Sequence, residues 1–384
     1  MPNTASYWER RASARMAEYH KGAEETIKAI QRAHASARGS LLYSMNAIFE
    51  RYAKKYKLDP ETAKAILQEH ATQKVLDGWR DAVTRMPEGR AKQAMLARLN
   101  APSVRYRITN LQALEGQATA VCKTLEDIEV QALRSRLIDT ATDAYDRVEY
   151  DLQKGLGIGW ETTGINKRAL DGILRDRWSG KNFSERIHMR AEDLAKRTQE
   201  LMISSFIGGD SKAQAAAKLS KEFDEDVVAS MRLVTTEVTH AANAAELERY
   251  QQNGIKRFMF RAVVDLRTSQ VCQDHDGIVY NVSDAKMGVN VPPLHPWCRS
   301  TTIQVLSMEW INTMERTVID PVTGEYQRIP GNMSYTEWKQ KLLMEHGEDK
   351  VAIAQKRQQE EAKEKREAKL RAAQRTVYVP GADD

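Results

Sequence analysis

Four side chains between residues 272 and 298 have the types and the spacing of a metal site. Cys272 and His275 are separated by two residues, as are His295 and Cys298, and nineteen residues lie between the two pairs. Zinc prefers sulfur and nitrogen ligands, and a two-residue spacing lets both side chains of a pair converge on one ion. The pattern therefore predicts one structural zinc ion, with loop packing through ordinary hydrogen bonds as the alternative. Catalytic zinc is disfavoured, because four protein ligands leave no position for water.

A second chemistry is open at the same loops. Asp265, Asp276 and His295 could hold a hard cation that activates water, which would make the chain a metal-dependent enzyme acting on nucleic acid. An ion pair between Asp265 and Arg267, together with a tight turn at Asp276 and Gly277, explains the same residues without catalysis. We therefore expect a protein that is not an enzyme, and the metal-dependent enzyme remains the alternative.

These residues belong to a longer motif, which consists of Asp265, Arg267, Thr268, Cys272, Asp276, Gly277, Gly288, Asn290, Pro292, Pro293, His295, Pro296, Cys298 and Arg299. The motif resembles the signature of the phage head morphogenesis family, the minor head proteins similar to Mu protein F and to the SPP1 minor head protein. The resemblance continues upstream through Thr235–Glu237 and Ala242–Asn243, and Tyr7–Arg11 resembles the opening of those proteins; it is most specific from about residue 232 to 302.

The resemblance implies a structural role in a virus particle. A member of this family would be a minor head (capsid) protein of a tailed phage or prophage, present in the head interior near the portal and, during assembly, in the bacterial host cytoplasm. Its expected partners are the portal protein and capsid components. Contact with packaged double-stranded DNA, or ejection together with that DNA, is a further expectation.

The basic residues of the chain are concentrated at its N-terminal end. The formal net charge is +5, and residues 1 to 57 hold eleven Lys or Arg against five Asp or Glu. Such a basic helical arm can neutralise phosphates without reading sequence, and Arg10, Arg11 and Arg15 are the candidate contacts to DNA. Because acidic residues are interspersed, a solvated helix face is the alternative interpretation.

Length and composition indicate several structural units made mainly of helices. A chain of 384 residues exceeds the usual size of one hydrophobic core, while 7% aromatic residues and a mean hydropathy of −0.60 suit extended helices. No apolar run is long enough to span a membrane. Three cysteines do not suggest a disulfide framework, and we expect Cys122 to be a small buried hydrophobe.

Hydrophobic spacing predicts helices over the first two thirds of the chain. We expect helices at 8–37 and 41–57 with a break at Gly39–Ser40, a short helix at 59–70 before a turn at 86–89, and one or two long helices from 108 to 154. Two helices should follow between 165 and 207, the second with a serine cap at Ser184. Separate helices should then end near Leu219 and begin near Glu225. Glu237 and His240 should form a polar cluster that packs against the module that follows.

From residue 255 the pattern changes from a helical to an alternating period. Strands within 256–264, 278–281 and 301–306 should form a small antiparallel sheet, a hairpin should follow at 316–328, and Ser334 with Glu337 should form a capping box. After residue 348 the chain is charged, and it is expected to be a solvated helix or a disordered tail.

The predicted fold class is therefore α+β and predominantly α-helical. Long N-terminal helices precede a small C-terminal α+β module with a short antiparallel sheet and a charged helical or disordered tail. We predict four segments: an N-terminal helical region at 1–155, a helical middle region at 160–254, a β-containing module at 255–345 that carries the Cys/His loops, and the tail at 346–384. The glycines between 155 and 159 mark the first boundary.

Overall fold

The computed structural model describes residues 5–56, 102–156, 163–208 and 212–374. Its architecture is α+β and predominantly helical, which confirms the predicted fold class. The predicted short helix at 59–70, the turn at 86–89 and most of the glycine-rich joint lie outside the described residues. In the part of the chain that the structure describes, no helix is long and apolar enough to cross a membrane.

Long helices make up most of the chain before residue 253. α1 is one helix through Gly39, so the predicted break there is wrong. Leu41 and Met45 are buried on the far side of the glycine, and their burial offsets the helix penalty of about 1 kcal/mol for one glycine. The bounds are α1 (Ala5–Tyr56), α2 (Pro102–Leu156), α3 (Lys167–Arg175), α4 (Phe183–Gly208) and α5 (Lys212–Gln252).

Two predicted helix boundaries need correction. The cap of α4 is Asn182, because its Oδ1 accepts a hydrogen bond from the Glu185 amide at 3.0 Å while the Glu185 carboxylate accepts one from the Asn182 amide. Ser184 lies inside the helix. The predicted gap between Leu219 and Glu225 is also wrong, because Phe223 is 1% exposed and its burial favours an unbroken α5.

The C-terminal module contains two small antiparallel sheets, as the alternating pattern predicts. β1 is the central strand of the first sheet, whose order is β2-β1-β3, and β4 pairs with β5 in the second. The capping box of Ser334 and Glu337 is confirmed at the start of α8. The elements are β1 (Arg257–Arg261), α6 (Gln270–His275), β2 (Val279–Asn281), β3 (Thr301–Val305), α7 (Met308–Asn312), β4 (Glu315–Ile319), β5 (Tyr326–Pro330) and α8 (Tyr335–His346).

The charged tail is a helix, α9 (Glu348–Gln374), so of the two predicted states the helical one is observed. Its first turns are not fully solvated: Val351 and Ala354 are buried in a cluster with Leu266 and residues of β4, β5 and α8. Farther along, the Lys369 ammonium contacts a Glu24 carboxylate oxygen at 2.7 Å. The short apolar stretch at its start is thus sufficient to pack this helix onto the module.

The contacts divide the chain into two compact units built from non-consecutive segments. The first unit comprises Met1–Ala29, Val130–Arg186 and Ala229–Ala372, and the second comprises Ile30–Glu129, Ile187–Val228 and Ala373–Asp384. The first contains both sheets. The core of the second is helical and includes Leu41, Cys122 and Leu194. Long helices bring distant segments together, so these units differ from the four consecutive segments, which stay a prediction.

Candidate metal centre and the motif around it

The three-stranded sheet of the first unit brings the two halves of the motif together. β1 and β3 are antiparallel neighbours, and Arg261 at the end of β1 lies opposite Thr301 at the start of β3. The chain that leaves β1 therefore starts beside the chain that enters β3. The first of these connections carries Cys272 on α6, and the second carries His295 and Cys298.

Three of the four predicted metal ligands converge. The Cys272 sulfur lies 3.2 Å from His295 Nε2 and 3.7 Å from the Cys298 sulfur. All three ligand atoms lie within 4.8 Å of one another, and both cysteines are buried. His295 Nδ1 lies 2.7 Å from the Pro296 carbonyl oxygen, an acceptor that holds the ring with Nε2 toward the sulfurs. The chemistry of this donor set suits zinc.

His275 does not join this group. Its Nδ1 lies 2.6 Å from the Tyr280 hydroxyl, and its ring contacts Phe260 with centroids 5.4 Å apart. α6 ends at His275, and the ring turns toward side chains of the sheet. The structure therefore provides three protein ligands where the spacing predicts four, and a metal held by them would have one further position to fill.

The two thiols have different acidities. Hydrogen bonding from Cys272, followed by that from His295, lowers the pKa of the Cys298 thiol well below its usual value in spite of burial. The same bond to Cys298, reinforced by burial, raises the pKa of Cys272. Hydrogen bonding to Cys298 also raises the pKa of His295. The lowered pKa of Cys298 favours its thiolate form, and thiolate is the form that binds zinc.

Asp265 organises the turn beside the cluster. Its carboxylate accepts two hydrogen bonds from the Arg299 guanidinium, at 2.7 and 2.9 Å, which makes the pair bidentate. It also accepts bonds from the Arg267 amide at 3.0 Å and guanidinium at 3.1 Å, so the predicted ion pair is present. The Thr268 hydroxyl contacts the same carboxylate and the Val263 carbonyl oxygen. Burial alone would raise the pKa of Asp265, but Arg299 and Arg267 lower it below its usual value.

Asp276 has a structural role in a buried charge network. Its Oδ1 accepts a hydrogen bond from the Ala262 amide at 2.9 Å, and its Oδ2 lies 2.7 Å from Arg316 Nη1. Gly277 follows with φ 80°, as the predicted tight turn requires. Asp265 and Asp276 are thus engaged by different arginines, and the metal-ligand group around His295 contains neither of them. Asp265, Asp276 and His295, the three residues named for the enzyme alternative, therefore do not form one group in the structure.

The network continues to the start of α1. Glu9 is buried, and its carboxylate lies 2.7 Å from Arg261 Nε and 3.4 Å from Arg316 Nε. Its neighbour Trp8 is buried against Tyr250 and Phe258. The residues at 7–11 therefore attach the N-terminal helix to the sheet. The sequence gives Glu9 no evident role, because its arginine partners follow more than 250 residues later.

The upstream motif on α5 holds the loop that carries Cys298. The Thr236 hydroxyl accepts a hydrogen bond from the Trp297 amide at 3.1 Å, the Thr239 hydroxyl donates to the Cys298 carbonyl at 2.8 Å, and Asn243 lies 3.4 Å from the Ser300 carbonyl. These three side chains therefore pack a polar face of α5 against the module. The loop itself includes a cis peptide between the buried residues Pro292 and Pro293.

Glu237 and His240 face a different partner. His240 Nε2 lies 3.0 Å from Asp176, and the ring stacks on Trp178 with centroids 5.7 Å apart. Burial raises the pKa of Glu237. These contacts attach the connection after α3 to α5, whereas the prediction placed Glu237 and His240 against the module.

The three candidate DNA contacts differ in accessibility. Arg10 is exposed. Arg11 is part-exposed and pairs with Asp151 at 2.8 Å. Arg15 is 4% exposed and pairs with Asp151 and Glu246, so in this structure it is not accessible to a phosphate group. Its partners on distant helices explain why sequence spacing could not separate it from Arg10.

Comparison with known proteins supports the resemblance. Residues 196–303 match the family model described as phage Mu protein F like protein. The matched region includes α5, β1, the Cys/His loops and most of β3, so the match supports the predicted resemblance to the phage head morphogenesis family over the part of the chain that carries the motif. No curated protein and no solved structure gives a significant match.

Proposed function

We propose that this protein is a minor head protein of a tailed phage or prophage that acts near the portal during head assembly. The observation that carries the proposal is the match of residues 196–303 to the family of Mu protein F. In the structure, the two parts of the motif within the first unit are joined, because Thr236, Thr239 and Asn243 of α5 bind the loop at 297–300.

The finer parts of the proposal concern location and partners. The portal protein and capsid components are the proposed partners, and the exposed faces of the long helices offer extended surfaces for such contacts. Contact with packaged double-stranded DNA is proposed for the exposed face of α1 that carries Arg10, since a basic helix can bind phosphates without sequence preference. Ejection of the protein together with the DNA is the last part of the proposal.

Particle composition tests the proposal. The protein would be tagged in its own phage, and purified heads would be analysed by quantitative mass spectrometry and electron microscopy. We expect a few copies per particle, cross-links to the portal protein, and defective heads when the gene is deleted. A copy number equal to that of the major capsid protein, or absence of the protein from particles, would contradict the portal-proximal role.

We also propose that Cys272, His295 and Cys298 hold one structural zinc ion. When bound, the ion would link α6 to the loop before β3, two connections in a region with short strands. The three converging ligand atoms and the acidic Cys298 thiol support this proposal. The bidentate bond between Asp265 and Arg299 would fix the backbone beside Cys298.

Metal analysis separates this proposal from simple loop packing. Wild-type protein, Cys298→Ser and His275→Gln would be purified without added metal, then analysed for zinc and by thermal unfolding. We expect equal zinc in the wild type and in His275→Gln, and about one zinc per chain less, together with a lower melting temperature, in Cys298→Ser. Equal zinc in all three proteins would place the ion elsewhere.

A further inference from the structure

A second group of ionisable side chains lies in the interior of the second unit. Four long helices each contribute one member: His34 from α1, Glu129 from α2, Arg190 from α4 and Asp226 from α5. His34 and Glu129 are each 2% exposed, and Asp226 is 4% exposed. Groups of this kind are rarely buried unless they are paired or bind a metal.

The imidazole of His34 is held in one orientation. Its Nδ1 lies 2.9 Å from the Ile30 carbonyl oxygen one turn earlier, and a ring N–H at this position donates to that carbonyl. Nε2 then points at two carboxylates, lying 2.8 Å from Asp226 Oδ2 and 3.4 Å from Glu129 Oε1. A backbone carbonyl that fixes one ring nitrogen while the other faces carboxylates is the usual surrounding of a metal-binding histidine.

Arg190 binds the opposite side of both carboxylates. Its Nε lies 3.0 Å from Asp226 Oδ1, and its Nη2 contacts Glu129 Oε2. Each carboxylate therefore offers one oxygen to Arg190 and the other to the space beside His34. The guanidinium orients both groups, and the two carboxylates with Arg190 carry a combined formal charge of −1 before any occupant is added.

When the Nδ1 proton is donated to the Ile30 carbonyl, the Nε2 of a neutral imidazole turns its lone pair toward the two carboxylate oxygens, an arrangement that a cation among the three atoms stabilises. A metal ion interacts with all three atoms at once, and these atoms lie within 4.8 Å of one another. One nitrogen and two oxygen donors suit divalent first-row ions such as Mn²⁺ and Zn²⁺.

We propose that His34, Glu129 and Asp226 form a divalent metal site that links three helices of the second unit, with Arg190 positioning the carboxylates. This site shares no residue with the cluster at Cys272, and its oxygen-rich donor set should accept Mn²⁺, which binds thiolates poorly. The two centres can therefore be tested independently.

The experiment uses the full chain, stripped with a chelator and dialysed against Mn²⁺, with bound metal counted by mass spectrometry. We expect about one Mn²⁺ per chain in the wild type and in Cys298→Ser, and none in His34→Gln. His188→Gln is the matched control, because it removes a half-exposed histidine of the same unit and should retain the ion. If the wild type binds no Mn²⁺ and no more Zn²⁺ than the Cys272 cluster takes up, the proposal is overturned.

A second measurement covers the case in which His34→Gln does not fold. X-ray absorption at the manganese edge of the unmodified protein should show imidazole nitrogen and carboxylate oxygen without sulfur. A spectrum with water oxygens alone, or one with sulfur ligands, would refute the assignment whatever happens to the variant.

Discussion

Replacement of Arg15 by alanine should destabilise the protein strongly, although a sequence reading places Arg15 beside Arg10 as a surface cation. Arg15 Nη2 lies 3.2 Å from Glu246, and Nη1 contacts Asp151. Both carboxylates are almost fully buried, at 1% and 0% exposure. Burial would lower the pKa of Arg15, but the two carboxylates raise it above its usual value, so the guanidinium stays charged.

The magnitude follows from what the substitution leaves behind. Removing one partner of a buried ion pair costs about 3–5 kcal/mol, since the remaining charge loses its compensation. Arg11 still contacts Asp151 at 2.8 Å in the variant, so the main loss is at Glu246, whose pKa burial already raises. With roughly 2–4 °C per kcal/mol for units of 150–250 residues, the melting temperature should fall by about 6–20 °C. Arg10→Ala should change stability by less than about 0.5 kcal/mol.

Thermal and urea unfolding followed by circular dichroism would measure both variants beside the wild type. Filter binding to double-stranded DNA over a salt series would test the other role of these arginines. If Arg10 contacts a phosphate, its removal should reduce the slope of log K against log salt by about 0.9. Arg15→Ala should leave that slope unchanged under conditions in which it is folded. A melting temperature of Arg15→Ala equal to that of Arg10→Ala would refute the buried-network reasoning.

Other predictions address a titration, two glycines and a helix cap. Burial, followed by repulsion from a nearby arginine, lowers the pKa of His20 to about 4. In the unfolded chain the histidine pKa is near 6.5, so the unfolded state takes up the proton first as the pH falls. The free energy of unfolding should therefore decrease by up to about 3 kcal/mol between about pH 6.5 and pH 4. The difference between wild-type and His20→Gln urea unfolding energies should show this slope, and parallel curves would contradict it. Gly331→Ala should destabilise the protein by about 1–3 kcal/mol, because an added Cβ collides with the Met314 side chain. Gly116→Ala should stabilise the protein by about 0.5–1 kcal/mol, because the added Cβ meets open space within a helix. Ser334→Ala removes a cap bond to the first turn of α8 and should lower the unfolding free energy by about 0.5–2 kcal/mol in the same assay.

Local sequence patterns were sufficient to predict those features of the structure that depend on residues close together in the chain. The alternating period after residue 255 predicts the antiparallel sheet, since alternate side chains of a strand face opposite sides. The Asp265–Arg267 pair and the turn at Gly277 depend on residues a few positions apart, and both are present. Gly39 shows the limit of such rules, because burial on both sides of it outweighs its weak helix propensity.

Tertiary structure decided which charged side chains meet. Spacing placed His275 with Cys272, but the end of α6 turns its ring to Tyr280, and three ligands remain together. No local pattern could reveal that His34, Glu129 and Asp226 converge, because they lie about 95 residues or more apart and meet only when long helices pack. The sequence by itself determined the elements, the motif and the family resemblance. The fold decided burial and pairing, and these determine whether an arginine is available to DNA or a histidine to a metal.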